Sequence, residues 1–92
     1  MAVGYYFNPE GMSADRYDEV IQKLDAAGAG NPPGRSYHVA FGEEGGLSVF
    51  DVWDSTESFD KFGETLMPIL QELGVDPGEP SVVPVHNIII GS

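Results

Sequence analysis

The 92-residue sequence contains no cysteine. Disulfides, thiolate metal sites and cysteine nucleophiles are therefore excluded. Basic residues are scarce: four Lys plus Arg stand against fifteen Asp plus Glu, for a formal net charge of −11. Phosphate backbones repel such a surface, so no nucleic acid is expected as a partner, and anionic membranes are disfavoured for the same reason. Long apolar runs are missing too. Even the all-isoleucine run Ile88, Ile89 and Ile90 falls far short of the ~20 residues that span a bilayer. The N-terminus has no basic segment leading into an apolar stretch, so no signal peptide is predicted and a cytoplasmic location is expected. There is no G-x-S-x-G, no P-loop and no G-x-G-x-x-G, which removes the commonest nucleophile and phosphate-binding signatures.

What is present is an unusual excess of apolar strand residues. Between residues 47 and 53, Leu47, Val49 and Trp53 occupy odd positions while Phe50 and Val52 occupy even ones. Residues 82–90 behave alike. A sheet with one wet face alternates apolar and polar side chains, so here both faces need cover. A chain of this length holds one domain, residues 1–92. It buries only about 60–65% of its unfolded surface, which leaves a marginal core. Its two amphipathic helices can dry one face. The other face is predicted to meet a second copy of the chain, making a homodimer through the sheet faces.

The element order follows from local signals. Residues 2–7 read as an aromatic-rich strand, and Asn8, Pro9, Glu10 and Gly11 as a turn. Ser13 is the expected N-cap of a helix with a buried stripe of Tyr17, Val20, Ile21, Leu24 and Ala27, stopped at Gly28. A Gly/Pro-rich loop leads to a second strand at 35–41, a short hairpin, and a third strand at 47–53. Asp54 and Ser55 offer overlapping N-caps for a second helix whose stripe is Phe59, Phe62, Leu66, Ile69, Leu70 and Leu73. Pro68 lies inside it and predicts a kink, or a break into two helices near Leu66. A last strand is predicted over 81–90. Pro84 confines it to an edge or marks a bulge. The order β-α-β-β-α-β with right-handed crossovers predicts an α+β, ferredoxin-like sandwich with an antiparallel sheet, strands one and three central.

Only two histidines are available for chemistry. His38 lies on the second strand and His86 on the fourth, at opposite edges of the sheet. One chain therefore cannot bring them to a shared metal, and no metal site is expected. If Phe41 pairs with Leu47, His38 faces the side of Phe50 and Val52. A one-residue slip puts it beside Asp51 instead. An Asp–His pair would orient the imidazole as a general base. A strand histidine that only hydrogen-bonds a neighbour is the alternative. Asp51, set among apolar neighbours, needs Arg35, His38 or a tyrosine hydroxyl if buried. In the register that aligns Arg35 with Trp53, Tyr37 stands opposite Asp51. Tyr5, Tyr37, Trp53 and Phe62 belong to an aromatic-rich interior that suits either a pocket for a flat hydrophobic ligand or an ordinary core.

Residues 51–59, reading Asp-Val-Trp-Asp-Ser-Thr-Glu-Ser-Phe, resemble a third strand ending in Trp followed by a Ser-x-Glu helix start. On this segment and on element order over nearly the whole chain, the sequence resembles the dimeric α/β-barrel superfamily, in particular its antibiotic biosynthesis monooxygenase-like branch. The resemblance implies sheet-to-sheet dimers and, for some members, oxidation of aromatic or polyketide-type substrates with no cofactor. Asn8 and Trp53 match two positions that haem-degrading relatives use, but no histidine lies between Trp53 and Leu73, so haem ligation of that kind is not expected. Two functions stay open. One is a non-catalytic protein that binds a small aromatic or hydrophobic ligand between sheet and helices, with Trp53, Tyr5, Tyr37 and Phe62 shaping the site. The other is a cofactor-independent monooxygenase-like enzyme, with His38 as base and Asn8 or His86 holding the developing oxyanion.

Overall fold

The structure, a computed structural model, describes residues 2–91. Six elements follow the expected order: β1 (Val3–Phe7), α1 (Ala14–Ala26), β2 (Arg35–Phe41), β3 (Ser48–Trp53), α2 (Thr56–Glu72) and β4 (Ser81–Pro84). The strands form one antiparallel sheet in the order β2-β3-β1-β4. β1 and β3 are central, β2 and β4 are edges, and the fold is a ferredoxin-like α+β sandwich.

Both helices start on the caps their sequences offer. The Ser13 hydroxyl accepts from the Arg16 amide at 3.1 Å, and the Ser55 hydroxyl accepts from the Ser58 amide at 3.2 Å. Each bond satisfies one of the donors a helix start leaves unpaired. Of the two candidate caps for α2, Ser55 is the one used. The core lies between the helices and one face of the sheet. Tyr5 and Phe7 of β1 and Trp53 of β3 meet Val20 and Leu24 of α1 and Phe62, Ile69 and Leu70 of α2 there. Val52 is equally enclosed, at 1% exposure, yet it belongs to the opposite face and stands apart from this cluster.

α2 runs unbroken through Pro68, so the alternative of two short helices is not what forms. Pro68 sits on the solvent side, while Phe62, Ile69 and Leu70 anchor the helix on either side of it. The lost backbone bond therefore falls where water can replace it. β4 is shorter than predicted and ends at Pro84. Pro84 already stands opposite Val3, the first residue of β1, and the Val85 amide makes one further bond, to the Ala2 carbonyl. Residues 86–90 take no part in the ladder. His86 consequently lies outside the fourth strand, exposed. Among the described residues no helix is long and apolar enough to cross a membrane.

One irregularity decides the site. β2 pairs with β3 so that Arg35 opposes Trp53, whereas His38 opposes Asp51 and Phe41 opposes Ser48. An extra residue in β2, between Arg35 and Tyr37, joins these two registers as a β-bulge, and the Ser36 hydroxyl there donates to the Val52 carbonyl. Both Arg35 and His38 thereby face the helices. Without the bulge, alternation would turn Tyr37 inward and His38 outward.

Candidate functional site

Among the described residues Asp51 is the only buried carboxylate, at 5% exposure on the helix-facing side of β3. A carboxylate there needs partners. His38 provides one, its Nδ1 donating to Asp51 Oδ1. Because a carboxylate only accepts, the ring proton belongs on Nδ1, and Nε2 of the neutral imidazole is left as an acceptor. The Tyr17 hydroxyl, from the first half of α1, fills that position at 2.6 Å. The two rings lie within 6° of parallel with centroids 6.0 Å apart. Burial pushes the Tyr17 hydroxyl above its ordinary value of 10.0. The Asp51 and Asp18 carboxylates add to this and Arg35 opposes it. Tyr17 is therefore a neutral donor at physiological pH, and Asp51, His38 and Tyr17 form one polar line in an apolar setting.

That line ends in a cleft between the sheet and the two helices, with a volume of about 70 Å³. Val20 and Ile21 of α1, Phe62, Leu66 and Met67 of α2, and Pro77 of the following linker wall it with carbon. Arg35 also lines it. Its guanidinium lies 5.8 Å from the Phe62 ring centroid, and Nη2 donates to the Gly30 carbonyl at 3.2 Å. At this size the cleft holds only a couple of waters. A drug-sized ligand occupies roughly 300–1,000 Å³, so such an occupant must part Met67 and Pro77 at the rim. Among the described residues there is no group of three or more His, Asp or Glu placed to hold a metal ion.

The cleft gathers three of the residues singled out from sequence, His38, Asp51 and Phe62. Trp53 (0% exposed) and Tyr5 lie behind it in the core: Tyr5 stacks on Phe59 at 3.9 Å, and Trp53 packs against Phe59 and Phe62. Trp53 Nε1 is buried without a hydrogen-bond partner. Tyr37 is not in the cleft. The bulge sets it opposite Val52 on the far face of the sheet. Asn8 is on that far face too, where its Oδ1 accepts from the Ser48 hydroxyl at 2.9 Å. His86 borders a separate surface hollow with Ala2, Pro84 and Val85. Asn8 and His86 therefore do not converge with His38 within one chain. Tyr17 and Arg35 are the residues that sequence reading did not place in a site. Tyr17 fits the apolar stripe of α1 so well that only its polar tip hints at a second role, and Arg35 was legible only as a possible partner for Asp51.

No protein-family model matches the chain, and no curated protein matches its sequence. Solved structures do match in fold. A protein of Chloroflexus aurantiacus J-10-fl, provisionally named an antibiotic biosynthesis monooxygenase, superposes with a TM-score of 0.67 at 22% identity, covering 99% of this chain and 100% of that one. SnoaB, a cofactor-independent oxygenase from Streptomyces nogalater, superposes in a mutant form with a TM-score of 0.65 at 15% identity over 96% of both chains. A Caulobacter crescentus CB15 protein with the same provisional monooxygenase name gives 0.64 at 18% identity, over 96% of this chain and 91% of that one. The chain thus has the ferredoxin-like fold of the antibiotic biosynthesis monooxygenase-like proteins, the branch its third strand and second helix start resemble.

Proposed function

We propose that this protein is a homodimer whose sheet–helix cleft binds a small, flat, largely hydrophobic ligand, with His38 as the polar anchor. The single observation that carries the reading is the Asp51–His38 pair, capped at Nε2 by the Tyr17 hydroxyl, in a cleft whose remaining walls are carbon apart from Arg35. A polar group so placed gives orientation to a ligand that apolar contact alone would leave free to rotate. The dimer is supported by the far face of the sheet. Tyr6, Tyr37, Phe41 and Val83 are between 36% and 44% exposed there. Aromatic and apolar side chains left exposed on one sheet face suit an interface.

Two measurements test the reading. Sedimentation equilibrium should give a dimer at micromolar concentration, and Val39→Asp on the far face should shift it to monomer. A wild-type monomer would remove the dimer. Calorimetric titration with 2-naphthol should show binding that weakens about tenfold in His38→Ala, and no heat at all would remove the ligand site.

The same pair favours a second reading, a cofactor-independent oxygenase. His38, oriented by Asp51, would take the proton from a phenolic or enolic substrate, and the resulting electron-rich anion would reduce oxygen directly. The fold shared with SnoaB supports it. Oxygen uptake with a dihydroxynaphthalene, lost in His38→Ala, would separate this reading from simple binding. Absence of uptake in the wild type at saturating ligand would leave binding alone.

A further inference from the structure

Cations are rare in this chain, and two of the four have plain structural work. Arg16 donates to the Leu73 carbonyl at 2.6 Å, Lys23 pairs with Glu72 at 3.1 Å, and Lys61 is exposed on α2. Arg35 differs. It is half-buried and lines the same cleft as His38. Among the described residues it has no carboxylate within ion-pair distance, a lack it shares with Arg16 and Lys61, but of the four cations only Arg35 lines the cleft. Its one hydrogen bond, to the Gly30 carbonyl, uses a single donor of the five a guanidinium carries. The bulge at Ser36 is what allows Arg35 and His38 to share the inward side. Asp51, the nearest buried carboxylate, is engaged by His38.

We propose that Arg35 makes this cleft selective for an oxyanion carried on an apolar body, the oxyanion meeting the guanidinium while the body lies against Phe62 and α2. The inference rests on the ligand-site reading above and names the chemical class of that ligand. Two sources supply such a group: a carboxylate, already ionised when it arrives, or a phenolate or enolate formed when His38 takes its proton. For the second source the protein holds its own template. The Tyr17 phenol donates to His38 Nε2 at 2.6 Å, and a ligand hydroxyl that displaced it would give up its proton in a cleft that Arg35 also lines. A guanidinium recognises either anion with short, charge-assisted hydrogen bonds.

The test compares three probes on the intact protein by calorimetry at neutral pH: 2-naphthoate, 2-naphthol and the neutral 2-naphthylmethanol. The proposal expects naphthoate or naphthol to bind about tenfold or more tightly than naphthylmethanol. It expects that preference to vanish in Arg35→Gln and to survive in part in Arg35→Lys, which keeps the charge without the fork. Preference for naphthoate identifies a carboxylate ligand. Preference for naphthol, with the red-shifted ground-state absorption of the bound naphtholate, identifies the ionised hydroxyl. Equal binding of all three by the wild type overturns the proposal and leaves the ligand site standing, a comparison that needs no variant to fold. Binding of none overturns both. A loss of melting temperature in Arg35→Gln with the probe preference intact would make Arg35 structural and also overturn the proposal.

Discussion

Removing His38 and removing Asp51 should not cost the same, although they are two halves of one contact. Asp51's side chain is 7% exposed and its hydrogen bond goes to His38, whose side chain is 21% exposed. His38→Ala strands a carboxylate with little access to water, and breaking a buried pair in this way costs about 3–5 kcal/mol. The Tyr17 hydroxyl also loses its acceptor. Asp51→Ala leaves an imidazole that keeps the Tyr17 bond and reaches some solvent, a loss of about 1–2 kcal/mol. The difference is about 2 kcal/mol, which for a domain of this size moves the melting temperature by roughly 10 °C. The double variant puts an apolar pair in an apolar cleft and should be more stable than His38→Ala alone. Urea unfolding at neutral pH and one fixed protomer concentration, with an unchanged m-value, measures all four corners of the cycle. Equal costs for the two single variants, or a double variant whose loss is their sum, would refute the placement of Asp51 as a buried carboxylate dependent on His38.

Alkaline stability should report Tyr17. Burial, then the Asp51 carboxylate, hold its proton more tightly in the folded than in the unfolded state. The stability this confers is complete below about pH 10 and is lost as pH rises through the folded value. The wild type should therefore weaken more steeply above about pH 10 than Tyr17→Phe, and parallel curves would contradict it. Gly4→Ala should destabilise by about 1–3 kcal/mol, because a β-carbon there would lie 2.7 Å from Phe50 Cζ and 3.1 Å from Val85 Cγ2; thermal melts check this. Ser55→Ala should cost about 1 kcal/mol by the same measurement, through loss of the α2 cap.

Much of the fold was legible because its signals are local. The Ser13 and Ser55 caps, the stripes of α1 and α2 and the glycines that close them sit within a few residues of what they control. Pro84 marked an edge strand correctly, since a missing donor is a property of one residue. The length of β4 was not legible, because it depends on where β1 begins opposite it.

The site divides in the same way. By itself the sequence determined the element order, the surplus of apolar strand residues and the short roster of groups able to do chemistry. Tertiary structure decided which of them meet. Two registers of β2 against β3 were consistent with the side chains, one aligning Arg35 with Trp53 and the other aligning His38 with Asp51, and the bulge at Ser36 makes both true. A strand's side-chain period is two, so one inserted residue exchanges inside for outside. That exchange moved Tyr37 out of the cleft and His38 into it. Tyr17, twenty-one residues before His38, became the imidazole's partner only because α1 packs across that strand.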